Sequence, residues 1–499
     1  MNETANTKRN YLYNVICELV TTLIPLITTP YITRVLGRGG MGSYQYVQTI
    51  ASYFVLFANC GVKAYGNRCI AQAKDDPDRR NRVFSGIFYQ QVILSLLVGS
   101  IYAVTAFSAG EEYRVLFAVF GINMVSALME VSWLYYGMER FRPVAVCTIG
   151  AKVAVAAGIF LLVRDEKDLW IYALLCSLGV IAVQLYLWCG VKRFVRFVRV
   201  PVNEIRTHFL PCLALLIPMI APTLFRSMDK LMLETMTGAD AVGLYGAAEQ
   251  LQTCMLGFIT GLGTVMLPRV SNLLAQGKEA DAQKYIGTSM QFSVCIGSAF
   301  AFGIAAVADV FVPYYYGDAF SEAGILTLVL SPTILMIAWA DVIRAQYIIP
   351  HKRDRIFVIS VLCGAILNLV LNATLIPLFS SVHATLGLSR DAAGTLGALP
   401  GTLCAEFAVI LVQYFCLKKE LPYRDYVRTC AVFPLAGCVM FAAVQGVKVL
   451  LTALGVSSPL VILAAEVAFG GGVYLGIVGV WYWRRKKRRE KREDPTPHI

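Results

Sequence analysis

Apolar residues run through this chain in blocks of about 20, separated by short charged stretches. The blocks predict fourteen helices, at roughly 11–32, 42–66, 83–107, 114–136, 143–163, 169–190, 209–235, 241–268, 286–312, 323–349, 356–378, 392–417, 429–451 and 459–483. A hydrocarbon core about 30 Å thick needs about 20 helical residues to cross it. Helix is required because backbone groups in lipid must bond within their own segment. A barrel would instead show alternating strands of about 10 residues. The expected fold class is an all-α integral membrane protein of about 14 transmembrane helices.

Composition agrees. The chain is 57% apolar and 15% charged, with mean hydropathy +0.62, against about 45–50% and about 25% for soluble domains. Charge then orients the spans, because cytoplasmic loops carry excess Lys and Arg. With both termini cytoplasmic, the inner loops and tails hold 32 of the 44 Lys and Arg. One inner cluster is Arg68, Lys74, Arg79, Arg80 and Arg82; another is Lys192, Arg193, Arg196, Arg199 and Arg206. The tail RRKKRREKR follows Trp481-Tyr482-Trp483, an interfacial aromatic group. Its place against the bilayer points to anionic headgroups, not nucleic acid. The net charge of +12 is thus a topology signal. After Lys8 and Arg9 the first block is too long for a signal core and lacks a small-residue cleavage site, so no cleavable signal is expected.

Several function classes drop out. None of the fourteen cysteines forms a C-x-x-C pair, and they lie in or beside apolar blocks, as small packing residues do. His208, His351, His383 and His498 are scattered, so no metal motif exists. The loops are too short to hold a catalytic or nucleotide-binding domain, and no G-x-x-x-x-G-K-[ST] motif occurs. Residues 37–42 read GRGGMG and fit G-x-G-x-x-G. A dinucleotide loop, however, must follow a strand and open a helix. This one follows an apolar span and is expected to be a tight outer turn.

Offsetting the chain by 201 residues places Gly37 on Gly238, Gly42 on Gly243, Tyr44 on Tyr245, Phe57 on Phe258 and Arg68 on Arg269. The second copy keeps the outer glycines but has Asp240 in place of Gly39. Equal orientation of the two blocks implies parallel repeats about an axis along the membrane normal. The expected organisation is an N-lobe (1–200), a C-lobe (201–420), two further helices (421–483) and a basic tail (484–499). Pro25 and Pro30 in span 1, and Pro211, Pro218 and Pro222 in span 7, are candidates for matched breaks along a substrate path.

Ionised groups inside a span are expensive and are functional candidates by default. The cations are Lys63, Lys152, Arg226, Lys230 and Arg344; the main anions are Glu18, Glu130, Asp229, Glu249, Asp341, Glu406 and Glu466. Arg226, Asp229 and Lys230 share one helix face at i, i+3 and i+4 and keep a net positive charge. Asp341 and Arg344 form a second i, i+3 pair. Self-neutralised pairs and a wet, anion-binding cavity both fit these spacings. Glu466 lies outside the repeat and reads as a packing residue.

The stretch PYITRVLGRGGMGSYQYV (Pro30–Val47) resembles the N-terminal signature of the polysaccharide biosynthesis flippases, through Pro30, Tyr31, Arg34, Leu36, Gly37, Gly42 and Tyr44. Ser227–Gln250, with Asp229, Lys230, Gly243 and Tyr245, and YYGMERF (Tyr135–Phe141) are similar to the same family. The likeness covers nearly the whole chain. It implies an O-antigen repeat-unit flippase of the multidrug/oligosaccharidyl-lipid/polysaccharide superfamily: a non-enzymatic transporter in the bacterial inner membrane. Such proteins move undecaprenyl-diphosphate-linked oligosaccharide from the inner to the outer leaflet by alternating access, with a polysaccharide polymerase as candidate partner. An anionic diphosphate suits Arg226, Lys230, Lys152 and Lys63, with Arg344 and Arg34 as further cations. No cofactor is implied. Coupling to a proton or sodium gradient would use Glu18, Asp229, Glu249 or Asp341. The rival readings are a lipid II-type flippase, a drug/cation exporter, which favours an anionic cavity, and a membrane glycosyltransferase or glycan ligase, which needs large loops or clustered catalysts.

Overall fold

The computed structural model describes residues 2–493, with side chains described at 17, 20–216, 219–220, 222–259, 266–267 and 269–487. The expected all-helical class holds, with no strand among the described residues. Ten helices among them are long and apolar enough to cross a membrane. By packing, the chain divides into two units, Met1–Gly243 and Leu244–Ile499.

The first unit opens with α1 (Asn2–Asn59), which carries the first predicted span and most of the second; the expected 42–66 helix is interrupted at Cys60–Gly61. Gly37 alone leaves helical geometry there, at φ 65° and ψ −179°. Positive φ is cheap only for glycine, so the outer turn expected around GRGGMG is one residue wide. Then follow α2 (Val62–Gln72), α3 (Pro77–Ser108), α4 (Glu111–Leu128), α5 (Ser132–Gly137), α6 (Phe141–Leu162), α7 (Leu169–Val191) and α8 (Val202–Met236). Gly238, 201 residues beyond Gly37, also takes positive φ, 131°, between α8 and α9 (Ala239–Ala275).

No break falls at the prolines singled out in the sequence. The helical assignment of α1 continues through Pro25 and Pro30, and α8 is continuous through its three prolines. The breaks lie elsewhere. One is at Cys60–Gly61, with φ of 40° and 71°, between α1 and α2. Another is at Met129–Val131, between α4 and α5. Around both, Phe84, Ile87, Trp133, Leu134 and Leu187 pack with Cys212 and Leu216 of α8. Gly66 faces the Trp133 ring at a distance where a Cβ would sit only 2.6 Å away, so the missing side chain lets the indole in. Ile93, Leu97, Ile101 and Val104 of α3 point outward, as a lipid-facing surface requires.

In the second unit α10 (Glu279–Tyr316), α11 (Ala323–Leu330), α12 (Pro332–Ile343) and a π-helical turn (Arg344–Ile348) precede α13 (Asp354–Ser381) and the short α14 (His383–Leu386). They are followed by α15 (Arg390–Leu417), α16 (Tyr423–Cys430), α17 (Val432–Ala453) and α18 (Pro459–Glu493). Ser331 separates α11 from α12 while keeping helical dihedrals, φ −56° and ψ −33°, ahead of Pro332. Small residues let α13 and α15 approach closely: a Cβ on Gly397 would lie 2.5 Å from the carbonyl oxygen of Leu375. Met290, Val294, Phe433, Met440 and Tyr474 form the core joining α10, α17 and α18.

Candidate functional site

The first unit's two breaks face each other. Lys63, in the first turn of α2, sets its ammonium 2.9 Å from Oε2 of Glu130 in the α4–α5 gap. The lysine side chain is 55% exposed, the glutamate 6%. Glu130 Oε1 accepts from the Ser132 amide at 3.0 Å and its hydroxyl at 2.5 Å, and Oε2 accepts from Gln184 Nε2 of α7 at 3.1 Å. The orphaned helix-end carbonyls are satisfied by side chains, as buried backbone demands. Gln91 Nε2 of α3 donates to Ala127, Leu128 and Glu130, the indole of Trp133 to Glu130, and that of Trp188 to Met129. Gln91 and Gln184 were not singled out in the sequence, although a buried amide in an apolar span is itself a signal of interhelical bonding.

The other predicted residues lie apart from this pair. On α8, Arg226 is exposed, Lys230 half-buried and Asp229 buried, facing Tyr53 of α1 electrostatically. Lys152, at the middle of α6, is half-buried beside Cys176 of α7 and has no ion-pair partner among the described residues. Arg34 donates to the Pro30 carbonyl at 2.6 Å, one turn back on its own helix. In the second unit, Arg344 opens the π-turn, pairs with Asp341 at 2.5 Å and lies over the Phe357 ring at 5.4 Å. Glu249 is half-buried on α9. Glu466 is fully enclosed. The side chain of Glu18 lies outside the described residues. All described cysteines are free thiols, and no group of metal-ligating side chains occurs among the described residues.

At a second locus, Gly37–Ser43 and Glu234–Gly243, the glycine stretches are visible in the sequence but their contact with each other is not. A Cβ on Gly42 would overlap the carbonyl oxygen of Ala239, and one on Gly243 would overlap that of Arg38. The two glycine stretches thus lie backbone against backbone, each copy's last glycine against the other's second residue. Asp240 Oδ1 occupies the place beside Gly39, 2.8 Å from where a Cβ would stand, and its Oδ2 accepts from Arg38 Nε at 2.8 Å. The middle glycine therefore makes room for an aspartate, not for a pyrophosphate. Nearby, Tyr113 donates to Glu234 and its ring packs on Tyr46.

Known proteins place this architecture. The family described as "Polysaccharide biosynthesis protein" matches residues 7–274. A relative from Escherichia coli (strain K12), named "Putative O-antigen transporter", is 23% identical over 389 residues, covering 76% of this chain and 92% of its own. The Haloferax volcanii protein named "Probable low-salt glycan biosynthesis flippase Agl15" is 23% identical over 394 residues, covering 77% and 80%. Among solved structures, "Lipid II flippase MurJ, inward closed conformation" superimposes with a TM-score of 0.73 at 12% identity, over 95% of this chain and 99% of that one. That likeness concerns the fold alone.

Proposed function

The chain belongs to the polysaccharide biosynthesis protein family, and on that premise we propose a flippase that carries an undecaprenyl-diphosphate-linked glycan unit from the inner to the outer leaflet of a bacterial plasma membrane. The protein is a multi-pass membrane transporter of lipid-linked glycan. To the ten apolar helices we add the two arms of α1 on either side of Gly37, and α8 and α9, giving fourteen spans with both termini at the basic, cytoplasmic face. Residues 1–200 and 201–420 are read as the two repeats.

The observation that carries this reading is Lys152. A cation at the middle of an apolar helix, with no ion-pair partner among the described residues, is expensive unless an anion visits it. A diphosphate headgroup is such an anion. Lys63, Arg226 and Lys230 add positive charge in the same unit, while the lipid tail stays in the bilayer. Ion coupling through Glu18, Asp229, Glu249 or Asp341 is part of the proposal.

The test is reconstitution. Vesicles containing the protein and an undecaprenyl-diphosphate oligosaccharide should expose the inner-leaflet glycan to an added glycosidase far faster than protein-free vesicles. Equal rates would overturn the reading. Transport that persists with proton and sodium gradients both collapsed would remove the coupling alone.

A further inference from the structure

Lys63 and Glu130 stand at two interrupted helices of the first unit. The positions 201 residues on are Thr264, within the continuous α9, and Ser331, where the main chain keeps helical dihedrals of φ −56° and ψ −33°. Neither matched position carries a charge. The interruptions and the charged pair therefore occur together in the first unit.

Their environments differ sharply. Glu130 is enclosed and held by Ser132, Gln184 and Lys63. The lysine side chain is more than half exposed, and its ammonium is 2.9 Å from Glu130. A lysine head is a compact charge on a flexible stem with three donors, and one donor direction suffices for Glu130. We propose that Lys63 is a docking cation for the diphosphate ester of the lipid carrier, and that Glu130 is its internal placeholder, a carboxylate that occupies the ammonium when the carrier is absent and takes it back when the carrier leaves. The proposal rests on the flippase reading.

The consequence is competitive. A binding group that is partly engaged elsewhere in the empty protein binds its ligand more weakly by the fraction of time it is free. Glu130 thus keeps the diphosphate from being held too tightly, as turnover requires. Ser132 and Gln184 continue to hydrogen-bond the carboxylate while Lys63 is away, which limits the cost of leaving it alone.

The experiment measures binding of undecaprenyl diphosphate to the full chain in detergent, by calorimetry, with undecaprenol, inorganic diphosphate and phosphatidylglycerol as separate arms. Wild type should bind the lipid diphosphate above the other three. Glu130→Gln keeps the size and most hydrogen bonds, and should bind it about tenfold tighter while flipping more slowly. A merely structural glutamate would give weaker binding instead. Lys63→Met should bind more weakly, and the double variant should match Lys63→Met alone. Unchanged or weaker binding by Glu130→Gln overturns the placeholder, and so does unchanged binding by Lys63→Met, whose exposed site tolerates the change if Glu130→Gln fails to fold. Preference for phosphatidylglycerol overturns the assignment to the carrier. A wild type that ignores undecaprenyl diphosphate altogether sinks the flippase reading itself.

Discussion

The carbonyl oxygen of Ala239 stands where a side chain on Gly42 would have to go. Neither main chain can yield without moving a helix end, so Gly42→Ala forces the two glycine stretches apart. Overpacking of this kind costs about 1–3 kcal/mol. Gly42→Ala and Gly243→Ala should each lower the melting temperature in detergent by several degrees. Gly99→Ala is the control: nothing lies within 4 Å of its Cβ position, and alanine favours the helix there. Equal melting of all three proteins would show that the contact contributes nothing.

Arg38 and Asp240 are 32% and 36% exposed, so their ion pair is worth little in isolation. A double-mutant cycle with Arg38→Ala and Asp240→Ala should yield a coupling of about 0.2–1 kcal/mol, decreasing with salt. Gly39→Ala disturbs the same carboxylate by volume and should cost more than either. A coupling beyond that range would mean the pair is far better shielded than its exposure indicates.

Lys152 has no ion-pair partner to lose among the described residues. Lys152→Met should therefore leave the melting temperature unchanged or raise it, while reducing the flipping rate at least tenfold in reconstituted vesicles. Full transport by this variant would take Lys152 out of the substrate path.

Gln91 bridges three carbonyls across the α4–α5 gap, at 2.9, 3.2 and 2.9 Å. Gln91→Leu removes these bonds, leaving the Trp133 indole on the Glu130 carbonyl and the Glu130 amide on that of Ala127, and should cost about 1–3 kcal/mol. Thermal unfolding should register the loss, and Gln91→Glu should not restore it, because a carboxylate cannot donate. Unaltered melting by Gln91→Leu would show that other donors can fill the gap.

Between spans, Glu420 meets Arg353 at 2.6 and 2.7 Å and also accepts from Tyr347. Hydrogen bonds from Arg353 and then Tyr347 hold its carboxyl below the ordinary value of 4.5. A depressed acid stabilises the folded state above its unfolded value, and the contribution disappears as pH falls through the lower folded value. Melting curves of wild type and Glu420→Gln should thus differ at pH 7 and converge toward pH 3. A gap that widens in acid would contradict the sign. The pair is exposed enough that the effect at pH 7 should be small.

Hydropathy alone located the helical rods, because a lipid-crossing helix must be apolar along its whole length. The Gly37 turn was also legible, since a lone positive-φ residue between two apolar blocks calls for glycine. The interruptions were not. Met129, Glu130 and Val131 include no helix breaker; tertiary hydrogen bonds from Gln91, Trp133 and Trp188 hold that gap open. The prolines that suggested breaks sit in continuous helix. Lys63 and Glu130 are both visible as charges in apolar sequence, but 67 residues separate them, and only the fold reveals that they pair. The Arg38–Asp240 contact was hidden for the same reason.

Gly39 and Asp240 stand 201 residues apart, the offset of the expected repeat, and touch each other. Suppose the protein were built instead from two identical half-length chains. Each of these two positions would then meet its own copy. A half of the first type would place glycine against glycine and leave a hole; a half of the second would set two carboxylates against each other with no arginine between. Only a fused chain, free to write different letters at the two places, can put a small residue on one side and a charged one on the other. The expected repeat supplies matching places, and a single chain is free to fill them differently.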